Sequence, residues 1–310
     1  MSGNGIHHVT AIAGPARRNV DFYTNVLGLR LVKQTVNFDD PGTYHLYYGD
    51  EAGAPGTILT FFPWAHVAPG RIGAGETQET LFRVPEGSLG EWMRRFVERG
   101  VAHDAVEKRF GETVLSFRDP DGMQLGLVGV SGIEGELAWT GGDVTAEHAV
   151  RGFHSVRIRL NATEATGAIL TDVFDFSEAG REGAAVRFKA DAAMGSVVDL
   201  IVDADARSGR QGGGSVHHVA FRAADDAAEM AMRAKLAENH GIRTTDQKDR
   251  NYFRSLYFRE PGGVLFEIAT DIPGFAADEP AASLGQALKL PPQYEPRRRE
   301  IEAILPDLGA

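Results

Sequence analysis

Residues 5–10 read GIHHVT and residues 215–220 read SVHHVA, so one chain carries two widely separated His-His-Val triplets. Imidazole transfers protons near neutral pH and is the commonest metal ligand. Adjacent strand residues point to opposite faces, so only one ring of each pair can serve a given site unless the strand is bulged. The other ring is left for a supporting or proton-transfer role. A third candidate is Glu267, in PGGVLFEIA, a carboxylate flanked by Phe266 and Ile268 that needs a partner if it is buried. Two imidazoles and one carboxylate make the composition of a facial triad, which holds divalent iron and leaves coordination positions open. The chain has no cysteine, which excludes disulfides, thiolate metal sites and a cysteine nucleophile; any metal must be held by nitrogen and oxygen.

What positions these residues is an internal repeat. LSFRDPDGMQLGLV, residues 115–128, aligns without a gap on LYFREPGGVLFEIA, residues 256–269. Upstream, ETLFRV aligns with HHVAFRA, and GIHHV…FYTNVLGL aligns with GFHSV…ILTDVFDF. Each unit reads as a strand, a stretch of helical periodicity, then glycine-punctuated strands. The helical stretches are 15–27, 88–98, 163–174 and 225–239. The expectation is an α+β fold of four βαβββ modules at 4–64, 75–131, 150–204 and 214–271, with cup-shaped mixed sheets and the helices outside. Modules one and two form an N-terminal domain (1–135) and modules three and four a C-terminal domain (150–271). A Gly-rich acidic linker (136–149) joins them, and a Pro- and charge-rich tail (272–310) wraps the surface.

Each module is a control for the others. At the second-histidine position of the first strand stand His8, Glu79, Ser155 and His218; at the Glu267 position of the last strand stand Thr60, Gly126, Asp199 and Glu267. Only modules one and four supply histidine, and only module four supplies both ligand types. One metal site per chain follows, His8, His218 and Glu267, with modules two and three as scaffold. Thr10 shares the concave face with His8, and His7 and His217 become the supporting or proton-transfer residues. His154 reads as structural; His103, His148 and His240 receive no role, and His45 faces either the cup or solvent. Arg250 and Tyr257, in DRNYFRSLYFREPGG, are read equally well as a solvated loop charge and a half-buried strand aromatic or as functional groups.

The 310 residues carry a net charge of −11 and a pI near 5.4, which disfavours nucleic acid or an anionic membrane as partner. No apolar stretch approaches membrane-spanning length and the N-terminus lacks a signal-type pattern, so a cytoplasmic location is expected.

With these modules and ligand positions, the chain resembles the vicinal oxygen chelate superfamily, the glyoxalase, bleomycin-resistance and extradiol dioxygenase group. The text YHLYYGDEAGAPGTILTFFP, with RGFHS, HHVAF, DRNYF, PGGVLFE and SLGQALKLPPQ, is similar to the para-hydroquinone ring-cleaving dioxygenases of that group. The resemblance covers nearly the whole chain. It implies a non-haem Fe(II), with Mn(II) as the alternative, on His8, His218 and Glu267. It implies His7, Thr10, His217, Arg250 and Tyr257 as functional neighbours, and O2 as co-substrate. It also implies that module one folds back against module four, because module three offers only Ser155. The activity implied is extradiol-type ring cleavage of a small hydroquinone, chlorinated or not, or a catechol, in a protein that could form a homo-oligomer. Two rivals share the fold. A glyoxalase-type isomerase recruits a fourth protein ligand, for which Thr60 is poor; a metal-free binding protein has no reason to keep the three ligands in register.

Overall fold

The computed structural model describes residues 4–309. Every module contributes four strands and one helix. Module one has β1 (Ile6–Ala13), α1 (Ala16–Asp21, continued by a π-helical turn at Phe22–Val26), β2 (Arg30–Asn37), β3 (Asp40–Gly49) and β4 (Ile58–Pro63). Module two has β5 (Glu76–Pro85), α2 (Leu89–Arg99), β6 (Glu107–Arg109), β7 (Glu112–Arg118) and β8 (Gln124–Val130). Module three has β9 (Phe153–Leu160), α3 (Glu164–Asp172), β10 (Ser177–Glu182), β11 (Ala185–Lys189) and β12 (Val197–Val202). Module four has β13 (Val216–Ala223), α4 (Asp226–His240), β14 (Lys248–Asp249), β15 (Phe253–Arg259) and β16 (Leu265–Pro273). The fold is therefore α+β, two curled eight-stranded mixed sheets with few helices.

The sheets are built across the two halves of the sequence. One runs β14-β15-β16-β13-β1-β4-β3-β2 and the other β10-β11-β12-β9-β5-β8-β7-β6. Module one thus shares a sheet with module four, and module two with module three. Each first strand pairs in parallel with its own last strand and antiparallel with the first strand of the partner module.

Helix and turn contacts run the other way, within each half. The Asp-Pro-Asp-Gly turn of module two is closed by Asp119, whose carboxylate accepts the backbone N–H of Asp121 (2.9 Å) and Met123 (2.8 Å). The other carboxylate oxygen of Asp119 accepts from Tyr23 of module one at 3.0 Å. In module four Glu260 does the same for Gly262 and Val264, both at 2.8 Å, and accepts from Thr166 of module three. Acid-Pro-X-Gly recurs in the sequence because one carboxylate both caps the turn and receives the neighbouring helix. The amphipathic helices complete the layer: Leu89, Trp92 and Phe96 form the buried stripe of α2, and Phe174, after α3, stacks on Phe221 of β13 at 4.2 Å.

The tail does lie on module one. Lys33, fully buried, donates to Asp278 (2.7 Å), the Phe275 carbonyl (3.1 Å) and Glu279, while Lys289 N–H donates to the Gln34 carbonyl at 2.8 Å. No helix among the described residues is long and apolar enough to cross a membrane.

One buried acid in α4 has a pH signature. Glu229 is buried, has an oxygen without a hydrogen-bond partner, and accepts from Gln247 on the other; burial, with Asp226 nearby, pushes its carboxyl up to about 7. The folded state then holds a proton that the unfolded chain releases near 4.5, so stability falls as pH rises from about 4.5 to 7 and is level above. Glu229→Gln is expected to stabilise by about 2 kcal/mol at pH 8 and by almost nothing at pH 4.5. Urea melts at the two pH values measure the difference.

Candidate metal centre and aromatic cavity

The register places the candidate ligands. In each module the last-strand position pairs with the residue two beyond the first-strand position: Thr60 with Thr10, Gly126 with Leu81, Asp199 with Arg157, Glu267 with Ala220. Across the module boundary β1 and β13 are antiparallel, with His8 opposite Ala220 and Thr10 opposite His218. This local two-fold brings His8 beside His218, and β16 sets Glu267 next to both. Ligand atoms of His8, His218 and Glu267 all lie within 4.8 Å of one another, and all three side chains are buried. They form the one such cluster among the described residues.

The two Nε2 atoms are 3.3 Å apart, and they approach Glu267 Oε2 at 3.3 Å (His8) and 2.9 Å (His218). The two imidazoles lie within hydrogen-bond reach of each other, but their contacts to the carboxylate lack hydrogen-bond alignment: both oxygens of this fully buried carboxylate lack a hydrogen-bond partner. An unpartnered carboxylate is costly inside a protein. Three ligand groups converging on one point, with the carboxylate left unpartnered by both imidazoles, fit a divalent cation. Burial by itself would raise the Glu267 carboxyl, yet the two imidazoles hold it well below the usual carboxylate range, while burial lowers His218. An ionised Glu267 carboxylate and a neutral His218 imidazole are protonation states that metal binding requires.

The paired histidines now have separate tasks. His8 Nδ1 lies 2.9 Å from His7 Nδ1, and His218 Nδ1 lies 2.8 Å from His217 Nδ1. An imidazole that gives its Nε2 lone pair to a metal carries its proton on Nδ1, and here each Nδ1–H has an acceptor on the preceding ring. Each preceding ring must itself be neutral to accept. Burial lowers His7 well below its usual range and pushes His217 down to about 3. His217→Phe is expected to weaken metal binding roughly 10- to 100-fold with the fold intact, measured by competition with a chromophoric chelator.

Above the triad opens a cavity of about 400 Å³, walled by Phe38, Phe62, Trp64 and Phe253. His217, Arg250 and Tyr257 line it. Tyr257 pairs with Glu267 across β15 and β16, and its ring packs edge-on to His218 at 5.7 Å. Burial raises its hydroxyl pKa, so at neutral pH it is a hydrogen-bond donor. The Arg250 guanidinium lies 5.5 Å from the Tyr257 ring and 5.7 Å from Phe38, with Asp39 at 3.8 Å. Thr10 is buried behind the wall, 2.9 Å from the Thr60 hydroxyl.

Sequence reasoning left His45 undecided and missed Tyr47, Phe62 and Trp64. His45 faces the cup, 2.8 Å from Thr60 Oγ1 through Nε2 and 2.8 Å from Tyr47 OH through Nδ1. Strand alternation was the available signal: Tyr47 pairs with Thr60, so His45, two residues earlier, shares its face.

The second sheet has the same four positions and fills them differently. Glu79 accepts from Arg109 (2.6 Å), Arg157 (3.2 Å) and Ser116 (2.6 Å). Arg187 grips both Asp199 oxygens at 2.8 and 2.9 Å and reaches Glu112 at 2.6 Å, which His154 contacts at 3.0 Å. Arginines occupy this cup and neutralise its carboxylates. His154 has a structural partner set.

The paired βαβββ modules and the His-His-carboxylate cluster define the vicinal oxygen chelate class. The family model "Glyoxalase/Bleomycin resistance protein/Dioxygenase superfamily" matches residues 5–127. The chain is 47% identical over 304 residues to "Putative ring-cleaving dioxygenase MhqO" of Bacillus subtilis (strain 168), covering 97% of this chain and 96% of that protein. It is 35% identical over 310 residues, covering 98% and 96%, to "Chlorohydroquinone/hydroquinone 1,2-dioxygenase" of Sphingobium indicum. A crystal structure of a "putative dioxygenase" from Bacillus subtilis superposes with a TM-score of 0.95 at 45% identity, covering 99% of this chain and 98% of that one. The chain belongs to the glyoxalase/bleomycin resistance protein/dioxygenase superfamily.

Proposed function

We propose that this protein is a ring-cleaving dioxygenase that holds divalent iron on His8, His218 and Glu267. Its substrate is a small hydroquinone-type ring, chlorinated or not, opened in the extradiol manner beside a hydroxyl-bearing carbon. The observation that carries this reading is the buried, unpartnered Glu267 carboxylate beside two Nε2 atoms at the floor of an aromatic-walled cavity. The names of the relatives support the choice of substrate. The glyoxalase-type alternative needs a fourth ligand at Thr60, whose hydroxyl is already engaged by His45 and Thr10.

Iron held by His8, His218 and Glu267 would supply a Lewis acid that lowers the pKa of a phenol and would bring substrate and dioxygen together. The chain's own groups do the rest. Phe38, Phe62 and Trp64 hold the ring and exclude water. His217, neutral and on the wall, has its Nδ1 engaged by His218 and so carries its proton on Nε2, where it donates a hydrogen bond to a substrate oxygen. The Tyr257 hydroxyl donates to the substrate oxygen, and Arg250 stabilises negative charge as it develops.

Oxygen uptake by anaerobically Fe(II)-loaded protein tests the reading, with hydroquinone, chlorohydroquinone and catechol given in turn. One O2 consumed per ring lost is expected, with hydroquinones ahead of catechol. Protein that retains iron and takes up no oxygen with any of the three overturns it.

A further inference from the structure

The local two-fold that creates the metal cluster also gives the cavity two tyrosines. Tyr257 pairs with Glu267 across β15 and β16; Tyr47 pairs with Thr60 across β3 and β4. Since Thr60 is the module-one counterpart of Glu267, Tyr47 is the counterpart of Tyr257, at the same depth. β3 and β15 lie toward opposite ends of the curled sheet, so the two rings stand on facing walls, and both line the cavity. Each hydroxyl is held by the side chain two residues earlier on its strand, Ser255 at 3.2 Å and His45 at 2.8 Å.

Module one builds more around its tyrosine than module four does. The His45 ring is packed between Tyr47 (4.1 Å) and Phe62 (4.3 Å). Its Nε2 is fixed by Thr60 Oγ1, which is fixed by Thr10 Oγ1. Burial keeps His45 neutral. A neutral imidazole has one N–H, so the run Tyr47–His45–Thr60–Thr10 points one way at a time. With Tyr47 donating to Nδ1, the phenol oxygen of Tyr47 keeps its lone pairs for the cavity and accepts from a substrate hydroxyl. With the run reversed, Tyr47 donates to a substrate oxygen. The position that carries a carboxylate in module four is here a hydroxyl whose contacts aim a tyrosine.

We propose that Tyr47 is a second substrate-binding hydroxyl of the cavity, hydrogen-bonding the ring oxygen that is not on the metal, with His45, Thr60 and Thr10 as positioning residues. The inference rests on the dioxygenase reading. It assigns the cavity a ring with two oxygens too far apart to share one metal, a para-diol in preference to a monophenol.

Calorimetric titration of Zn(II)-loaded protein, which binds without turnover, tests it with two probes, hydroquinone and phenol. Tyr47→Phe is expected to weaken hydroquinone binding about 10-fold and leave phenol binding within about 2-fold, at unchanged melting temperature. His45→Phe is expected to copy this loss, and His45→Gln, which keeps a donor and an acceptor, to restore part of it. Equal weakening of both probes, or none, overturns the assignment of Tyr47 and leaves the dioxygenase reading standing. If neither probe binds the wild-type protein, the dioxygenase reading itself fails, and this inference with it.

Discussion

Glu267→Gln is expected to abolish metal retention through purification and lower kcat/KM by roughly 10³-fold or more, since residues that merely support metal ligands are worth about 10- to 100-fold. The substitution is nearly isosteric, so the fold should survive it. It removes the charge that compensates a divalent ion in a dry site, and the amide is a weak ligand. The stability response should be small beside the functional one. In metal-free protein the two imidazoles hold the buried Glu267 carboxylate ionised, so the neutral variant loses that attraction and should melt somewhat lower than wild type. Metal analysis and a thermal melt on the same two samples check both halves. A variant that keeps its metal and its full rate removes Glu267 from the site.

Lys33→Ala is expected to destabilise by about 3–5 kcal/mol, the largest loss from a single residue remote from the metal. The ammonium is fully buried, salt-bridged to Asp278 and Glu279, hydrogen-bonded to the Phe275 carbonyl and seated 4.7 Å from the Tyr252 ring centre. Removing it leaves Glu279, itself buried, with the Gly285 N–H at 3.4 Å and Lys289 at 3.9 Å. The consequence reaches the cavity, because Phe275 and Tyr252 pack with Tyr47 and Phe253 in one apolar cluster beneath its wall. Loss of activity at temperatures well below global unfolding should therefore accompany the stability loss. Guanidinium denaturation, with activity followed over the same temperature range, measures both. The double variant Lys33→Met/Glu279→Gln should recover much of the loss, since burying neither charge is far cheaper than burying one.

Much of this was readable in the sequence for a definite reason. A repeat supplies its own controls. His8 and His218 stood out because modules two and three carry Glu79 and Ser155 at the same place, and strand alternation is regular enough that counting from a glycine turn lands on Glu267. The four helices fall where the 3.6-residue pattern put them, with α2 at Leu89–Arg99 and α4 at Asp226–His240.

What was not readable lies between modules. That module one folds back against module four came only with the family resemblance; the bounds 1–135 and 150–271 do not show it, and the antiparallel seam of β1 with β13 is made by residues some two hundred positions apart. The arginine network of the second cup could not be seen either. Arg109 and Arg187 carry no signal in the sequence until the register sets them against Glu79 and Asp199. Alternation along β3 puts Tyr47 and His45 on one face, but only the pairing of Tyr47 with Thr60 shows that this face is the cup. Lys33 gives no sign of burial in the sequence because its partners sit in the tail.

The central claim is that both atoms of dioxygen enter a ring opened at the His8–His218–Glu267 centre. The most direct measurement is the mass of the product formed from hydroquinone under ¹⁸O2 by Fe(II)-loaded protein. The expected result is a ring-opened acid-aldehyde four mass units heavier than the product formed in ordinary oxygen, with no such product from Glu267→Gln. Unlabelled benzoquinone, with the oxygen recovered as hydrogen peroxide, would contradict the claim.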